Sequence, residues 1–363
     1  MKLQASKYKD LKYYANALFA VLFLCAFISC KKENQKEDKQ QVSFSPLSIK
    51  GLQKSDYKST LTFEKKLENT DNYNSELVSY LSDSLKVYAL VTIPKTKKPK
   101  NGYPILIFGH GNHPEPKKYG VSTKTGKDWR PGDYYRGIPE AYAKKGYLVI
   151  TPDYRGHNIS EGFQFTQTSY LASTYYAIDV LHLMSALYQL EDGNTDNVFY
   201  LGHSMGGDVG LKILLASKQI KAASIWAGVS ASAIEQVLYY SKYYDKNNSK
   251  VTNESIQIYK SKLNEVISNL DFEYDISSGD AINYVEDIET PLILHHAQWE
   301  ASVPYQWSAA LASRLFIHNK EFEFYTYNSK KHLFKDENRA IAIQRDLDFF
   351  NKIITTKINK NGN

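Results

Sequence analysis

Cysteine is almost missing from this chain. Of 363 residues only Cys25 and Cys30 carry a thiol. Nothing beyond residue 30 can therefore close an internal disulfide, and the fold must rest on its own core. A membrane-spanning run is missing too: the apolar stretch Ala17 to Ile28 holds 12 residues, where a span needs about 20. Charge of one sign is in small excess, 45 basic against 39 acidic residues, or +6. Four lysines and one aspartate of that total lie in residues 1–29, which leaves +3 for the rest. With no basic stripe and no aromatic-basic motif, this gives no case for a nucleic-acid partner. Metal-ligand clusters are equally scarce. His110 and His113 stand close together but lack a third and fourth ligand at useful spacing, so no metal site is expected.

What is present is ordinary globular material, 42% hydrophobic and 23% charged, enough to bury a large core. The 29 tyrosines are unusual; most fit packing roles and some suit a binding surface. The N-terminus has the layout of a processing signal. Lys2, Lys7, Lys9 and Lys12 precede the apolar run, which ends Phe27-Ile28-Ser29-Cys30 before the polar stretch Lys31 to Asp38. A small residue before a cysteine, then a polar tether, resembles a bacterial lipoprotein signal, although Phe27 stands where leucine is usual. The resemblance implies that residues 1–29 are removed, that Cys30 carries the lipid, and that residues 30–45 are a flexible tether. It also implies export and attachment to a bacterial membrane, with Lys31 compatible with the outer one.

Beyond the tether, two strands over Leu77 to Ser82 and Lys86 to Ile93 are joined by Asp83-Ser84. From Tyr103 onward strands and helices alternate, with strands at 103–108, 147–150, 197–201, 222–227, 291–295 and 321–327. Alternation of this kind predicts a mostly parallel sheet covered by helices on both faces, with its site at the carboxyl ends of the strands. Residues 229–286 interrupt it. They are polar and tyrosine-rich, with Ile256, Tyr259, Leu263, Val266 and Ile267 at helical spacing, and read as an inserted cap.

The residues that carry chemistry begin at Gly202-His203-Ser204-Met205-Gly206-Gly207. A strand precedes this G-x-S-x-G and a helix follows it, the context of a nucleophile elbow that exposes a serine hydroxyl on a sharp turn. A serine near neutral pH needs a histidine base, and the histidine needs a carboxylate to orient it. After the strand at 292–294 comes His295-His296-Ala297-Gln298-Trp299-Glu300-Ala301-Ser302-Val303-Pro304, and after the last strand comes Lys331-His332-Leu333-Phe334. The first of these resembles the H-G-x-x-D-x-x-V-P stretch of prolyl-oligopeptidase-like and dienelactone-hydrolase-like members of the α/β-hydrolase superfamily. His296 and Val303-Pro304 match, Ala297 replaces the glycine, and Glu300 occupies the acid position. The second matches the family's histidine and phenylalanine.

The resemblance runs from about Tyr80 to Phe350. It implies an α/β-hydrolase fold, with a mostly parallel eight-stranded sheet, helices on both faces and a helical cap insertion, occupying residues 46–363. It assigns Ser204 as nucleophile, Glu300 as acid and His332 as base. If Glu300 were a solvated loop residue, Asp275 or Asp280 would come into question. The oxyanion hole needs two backbone donors, expected from Met205 and from Asn112 in His110-Gly111-Asn112. Asp153, Arg155 and His157 fall in a segment resembling the superfamily's D-x-R-G-x-G-x-S, whose role is architectural.

The expected activity is a serine hydrolase that cleaves an ester or peptide acyl bond in a small ester or short peptide, without a cofactor or metal. The peptidases of this group usually carry a β-propeller, for which residues 31–100 offer too few blades, and a deacetylase fits equally well. A reading of another class is a surface-tethered binding module on an inactive hydrolase scaffold, against which the intact order of serine, acid and histidine speaks. Oligomeric state is not legible.

Overall fold

The computed structural model describes residues 44–112, 135, 137–163, 171–244 and 253–361. The expected leader, Cys30, the tether up to residue 43 and His113 lie outside the described residues. Among the described residues, no helix is long and apolar enough to cross a membrane.

The chain enters through a short helix, α1 (Ile49–Lys54), whose first turn is capped by Ser48 accepting from the Gly51 amide. Three strands follow: β1 (Thr62–Asn69), β2 (Tyr73–Ser82) and β3 (Leu85–Pro94). β2 and β3 form a hairpin whose turn places Asp83 at φ 54°. The alternating part then runs β4 (Tyr103–Gly109), α2 (Gly137–Ala143), β5 (Leu148–Asp153), α3 (Ala172–Ser185), β6 (Gly193–His203), α4 (Met205–Ala216) and β7 (Ile220–Trp226). Between β7 and β8 (Leu292–Ala297) lie α5 (Ala233–Tyr244), α6 (Asn253–Ser268) and two short 3₁₀ segments. The chain closes with α7 (Tyr305–Ile317), β9 (Phe322–Tyr327) and α8 (Asn338–Asn361).

Among the described residues, nine strands join one sheet in the order β1-β2-β3-β5-β4-β6-β7-β8-β9. The three strands β1 to β3 are antiparallel to their neighbours, and every pairing from β5 to β9 is parallel. This is the α/β-hydrolase architecture that the resemblance implies, with one correction: the sheet has nine strands, not eight. The additional strand, β1, is almost wholly exposed and reads Thr-Phe-Glu-Lys-Lys-Leu-Glu-Asn. It has no buried alternation to mark it in the sequence. Its charges and two register shifts against β2 are what a protected sheet edge carries.

Side chains alternate across the sheet and divide the core into two layers. Ile105, Ile107, Val198 and Tyr200 face one side with α1, α3, α4 and α7. Leu106, Phe108, Phe199 and Leu201 face the other with α2 and α8, where Phe350 stacks on Phe199. The helix α7 was not foreseen; Leu311 and Leu315, four residues apart, are its buried ridge.

This order fixes where a site can form. The chain leaves β4 for β5 on one side, then crosses back to place β6 on the other side of β4. Helices depart in opposite directions at that point and leave a crevice beyond the carboxyl ends of β4 and β6. Gly111 and Asn112 follow β4 there, and Ser204 follows β6.

Candidate active site

Ser204 adopts φ 56° and ψ −121°, a backbone conformation that costs free energy for any residue with a side chain. Main-chain hydrogen bonds hold it. The Ser204 amide donates to the Trp226 carbonyl at 3.0 Å, and the Ser204 carbonyl accepts from Gly207 and Val229, each at 2.9 Å. The turn is also packed too tightly for larger residues. A β-carbon on Gly206 would lie 2.0 Å from the Gly109 carbonyl oxygen, and one on Gly111 would lie 2.8 Å from the Ser204 β-carbon. Strand β4, the loop after it and the elbow are thus in direct contact. Met205 opens α4, so its amide belongs to the helix's first turn, which lacks intrahelical acceptors.

Glu300 and His332 arrive from the loops after β8 and β9. The Glu300 Oε1 atom lies 3.1 Å from His332 Nδ1, with the ring N–H off the line to the oxygen; the contact becomes an ion pair when the ring takes up a second proton. The two loops are zipped together. Gln298 and Trp299 donate their amides to the Tyr327 and Ser329 carbonyls, and the Trp299 indole donates to the Asn328 Oδ1 at 2.8 Å.

The Glu300 carboxylate is buried and accepts from the Ser302 and Val303 amides at 2.6 and 3.0 Å and from His296 Nε2 at 3.2 Å. Burial alone would push this carboxyl up. The hydrogen bond from His296 and the close approach of His332, with the Ser302 amide, outweigh it and hold the group down at about 2. It is therefore ionised at neutral pH. Because His296 Nε2 faces a carboxylate and the Val303 carbonyl, it carries the proton, and Nδ1 accepts from Ser308 of α7 at 2.7 Å.

His332 is tied to the elbow by its neighbour there. Tyr135 accepts from the Gly111 amide at 3.1 Å and lies 3.0 Å from His203 Nδ1, while His203 Nε2 lies 3.1 Å from the His332 carbonyl. Burial, then the nearby His332, hold His203 well below its ordinary value, so its ring is neutral. A carbonyl can only accept, so Nε2 is the protonated nitrogen and Nδ1 accepts from the Tyr135 hydroxyl. The result is a one-way chain from Gly111 through Tyr135 and His203 to His332, joining the loop after β4 to the loop after β9. Phe334, fully buried against Trp226 and Tyr327, anchors the same loop from below.

A second buried cluster braces the strand ends. Asp346 of α8 accepts from Tyr142, Trp226 and His295 at 2.5, 2.9 and 2.9 Å, and Tyr327 bonds the other nitrogen of His295 at 2.6 Å.

The structure thus brings Glu300 and His332 together and ties His332 to the Ser204 turn, with Met205 at the start of α4 and the exposed Asn112 on the loop after β4. Asp275 and Asp280 are engaged elsewhere, capping Ser277 and accepting from the Ala233 amide. Arg155 is buried against Asp179, at 2.7 Å, with Ser82 and Asp83 beside it, and pins its loop to the β2–β3 turn. His110 is buried with Nδ1 against the Gly111 carbonyl. The positioning groups Tyr135, His203, His296 and Ser308 were not foreseen as such. His296 had a signal, four residues before Glu300 in the matched motif; the others had none that a single sequence displays.

A sequence profile of the prolyl oligopeptidase family, peptidase family S9, matches residues 134–357. The chain belongs to the prolyl oligopeptidase family. It is accordingly a serine hydrolase. A curated relative, the uncharacterized peptidase YtmA of Bacillus subtilis (strain 168), is 24% identical over 269 residues, covering 74% of this chain and 90% of that one. Among solved structures, acetyl xylan esterase 1 from Thermoanaerobacterium sp. JW/SL YS485 superposes with a TM-score of 0.56 at 14% identity, over 84% of this chain and 90% of the esterase. Dipeptidyl peptidase 4 of Porphyromonas gingivalis gives 0.57 at 20% identity, over 77% of this chain and 36% of the peptidase. These likenesses are of fold, and they include an esterase as well as peptidases.

Proposed function

We propose that Ser204, His332 and Glu300 form the catalytic triad of a hydrolase acting on an ester or peptide acyl bond. The observation that carries this reading is the 3.1 Å pairing of the buried Glu300 carboxylate with His332, on a loop tied to the strained Ser204 turn. Ser204 Oγ attacks the acyl carbonyl and its proton passes to His332, whose imidazolium Glu300 balances. The Met205 and Asn112 amides receive the tetrahedral oxyanion, the first helped by the positive end of α4. His332 then returns the proton to the leaving group, and the acyl group remains on Ser204. Water, deprotonated by His332, attacks that ester and releases the acid.

Helix α5 provides a wall beside the acid. The Tyr239 hydroxyl donates to the Ala301 carbonyl at 2.7 Å, and Tyr239 and Tyr240 pack on Trp307. We read α5 and α6 as a cap that contacts the substrate.

The test compares kcat/KM for an acyl ester and the matched peptidyl amide, with Ser204→Ala alongside. Turnover of either substrate that disappears in the variant supports the mechanism. Ester turnover alone makes the protein a carboxylic ester hydrolase, whereas comparable amide cleavage makes it a peptidase. Turnover that survives Ser204→Ala contradicts the triad.

For location, the leader pattern supports export and lipid attachment at Cys30. Incorporation of radiolabelled palmitate that Cys30→Ala abolishes is the expected result; label retained in that variant overturns it.

A further inference from the structure

The amino ends of the parallel strands, opposite the Ser204 end, also carry a cleft. Its volume is about 710 Å³, within the range of ligand sites. The walls are the loop from Thr96 to Gly102, the starts of β4 and β6, the turn from Lys144 to Gly146 after α2, and Asn351 and Ile354 of α8.

The lining holds Lys97, Lys100, Lys144 and Lys145 and not one carboxylate, on a chain whose charges otherwise nearly balance. None of these four lysines is ion-paired among the described residues, although neighbouring Lys98 pairs with Asp192 at 2.8 Å. The asparagines add to the same polarity. Asn194 Oδ1 accepts from the Asp196 amide at 3.0 Å and Asn351 Oδ1 from the Tyr147 hydroxyl at 3.1 Å. Their carbonyl oxygens are occupied internally, which leaves the amide N–H groups for a ligand. Ammonium and amide donors without carboxylates match a ligand rich in oxygen acceptors and negative charge.

We propose that this cleft binds an acidic oligosaccharide, independently of the hydrolytic site. Its size exceeds what a single phosphate or sulfate needs. A lipid surface is disfavoured because none of the exposed large apolar side chains lies in the cleft, and interfacial binding requires apolar groups that enter the bilayer boundary. Single-stranded nucleic acid is disfavoured for a related reason: Tyr103 and Tyr147 are buried and offer no open face for a base. The cleft would hold an acidic glycan to the protein while the opposite face works on an acyl group.

The test measures binding of short oligogalacturonates to the full chain by calorimetry. Neutral xylo-oligosaccharides, anionic phospholipid vesicles and single-stranded DNA run alongside. The expected result is binding of the oligogalacturonate alone, weakened by salt and lowered at least about tenfold in Lys144→Glu/Lys145→Glu and in Lys97→Glu/Lys100→Glu. Hydrolysis of a small soluble ester is expected to be unchanged in both variants, and Ser204→Ala to bind the oligosaccharide as well as the parent. Binding no tighter than that of the neutral sugar, binding untouched by the lysine substitutions, or preference for vesicles or DNA each overturns the proposal.

Discussion

Main-chain hydrogen bonds to Trp226 and from Gly207 and Val229 hold the turn that carries Ser204, whereas the Glu300–His332 pair depends in addition on side chains recruited from distant segments. His296 and Ser308 steady the acid, and His203 and Tyr135 steady the loop of the base. A backbone device is local, dense and intolerant of volume. A side-chain device is assembled from distant segments and fails by losing orientation before it loses the fold. The two regions therefore predict different damage from substitution.

The largest effect is expected at Glu300. Glu300→Gln keeps the shape and removes the charge that orients His332, and kcat is expected to fall on the order of a thousandfold to ten-thousandfold with little change in KM. The same variant sharpens the electrostatic account. Glu300 sits at about 2 when folded, against an ordinary value of about 4.3. A carboxylate depressed by folding stabilises the native state above its unfolded value, and that contribution is lost as pH falls from about 4 towards 2. The parent is therefore expected to lose melting temperature through that window more steeply than Glu300→Gln.

At the elbow the expected damage is to stability. Gly206→Ala drives a methyl group into the Gly109 carbonyl and is expected to cost about 3 kcal/mol, seen in the denaturation midpoint. If the variant melts like the parent, the elbow is looser than the account holds.

A smaller, purely functional loss is expected at the link between the two regions. His203→Phe preserves ring volume but leaves Tyr135 and the His332 carbonyl without their shared partner. Turnover is expected to drop about tenfold to a hundredfold with KM nearly constant, and His203→Gln, which can still donate and accept, is expected to recover part of it. Unchanged turnover in His203→Phe together with a loss in His203→Gln would show that the ring's volume matters and not its hydrogen bonds.

The smallest effect concerns the segment between β7 and β8. Burial pushes the Asp280 carboxyl up to about 6, the Ala233 amide only partly offsetting it. The folded state then holds a proton that the unfolded chain has already lost, so stability falls as pH rises from about 4 to 6 and is level above. Asp280→Asn keeps the acceptor and is expected to flatten that slope; an unchanged slope would refute the assignment.

The same contrast explains what the sequence displayed. The elbow is contiguous, and its glycines, flanking strand and flanking helix all lie within twenty residues of Ser204, so pattern alone found it. Glu300 and His332 lie 96 and 128 residues beyond Ser204 and were singled out by the motifs that resemble the family's, each following a strand of the alternating chain. Groups recruited across the fold escaped. Ser308 reaches His296 from a helix that went unseen, and Lys212 looks like a surface lysine yet is buried against Asp208 at 2.7 Å. β1 escaped because an exposed edge strand has no buried face to leave a period in the sequence.

The central claim is that Ser204 is the nucleophile and that Glu300 acts through His332. The most direct measurement is the rate of labelling by a fluorophosphonate, with the modified peptide identified by mass spectrometry. The account predicts a single adduct on Ser204, absent in Ser204→Ala and formed far more slowly in Glu300→Gln and in His332→Ala. An adduct on another serine, or labelling of Ser204 at the parent's rate without Glu300, would contradict it.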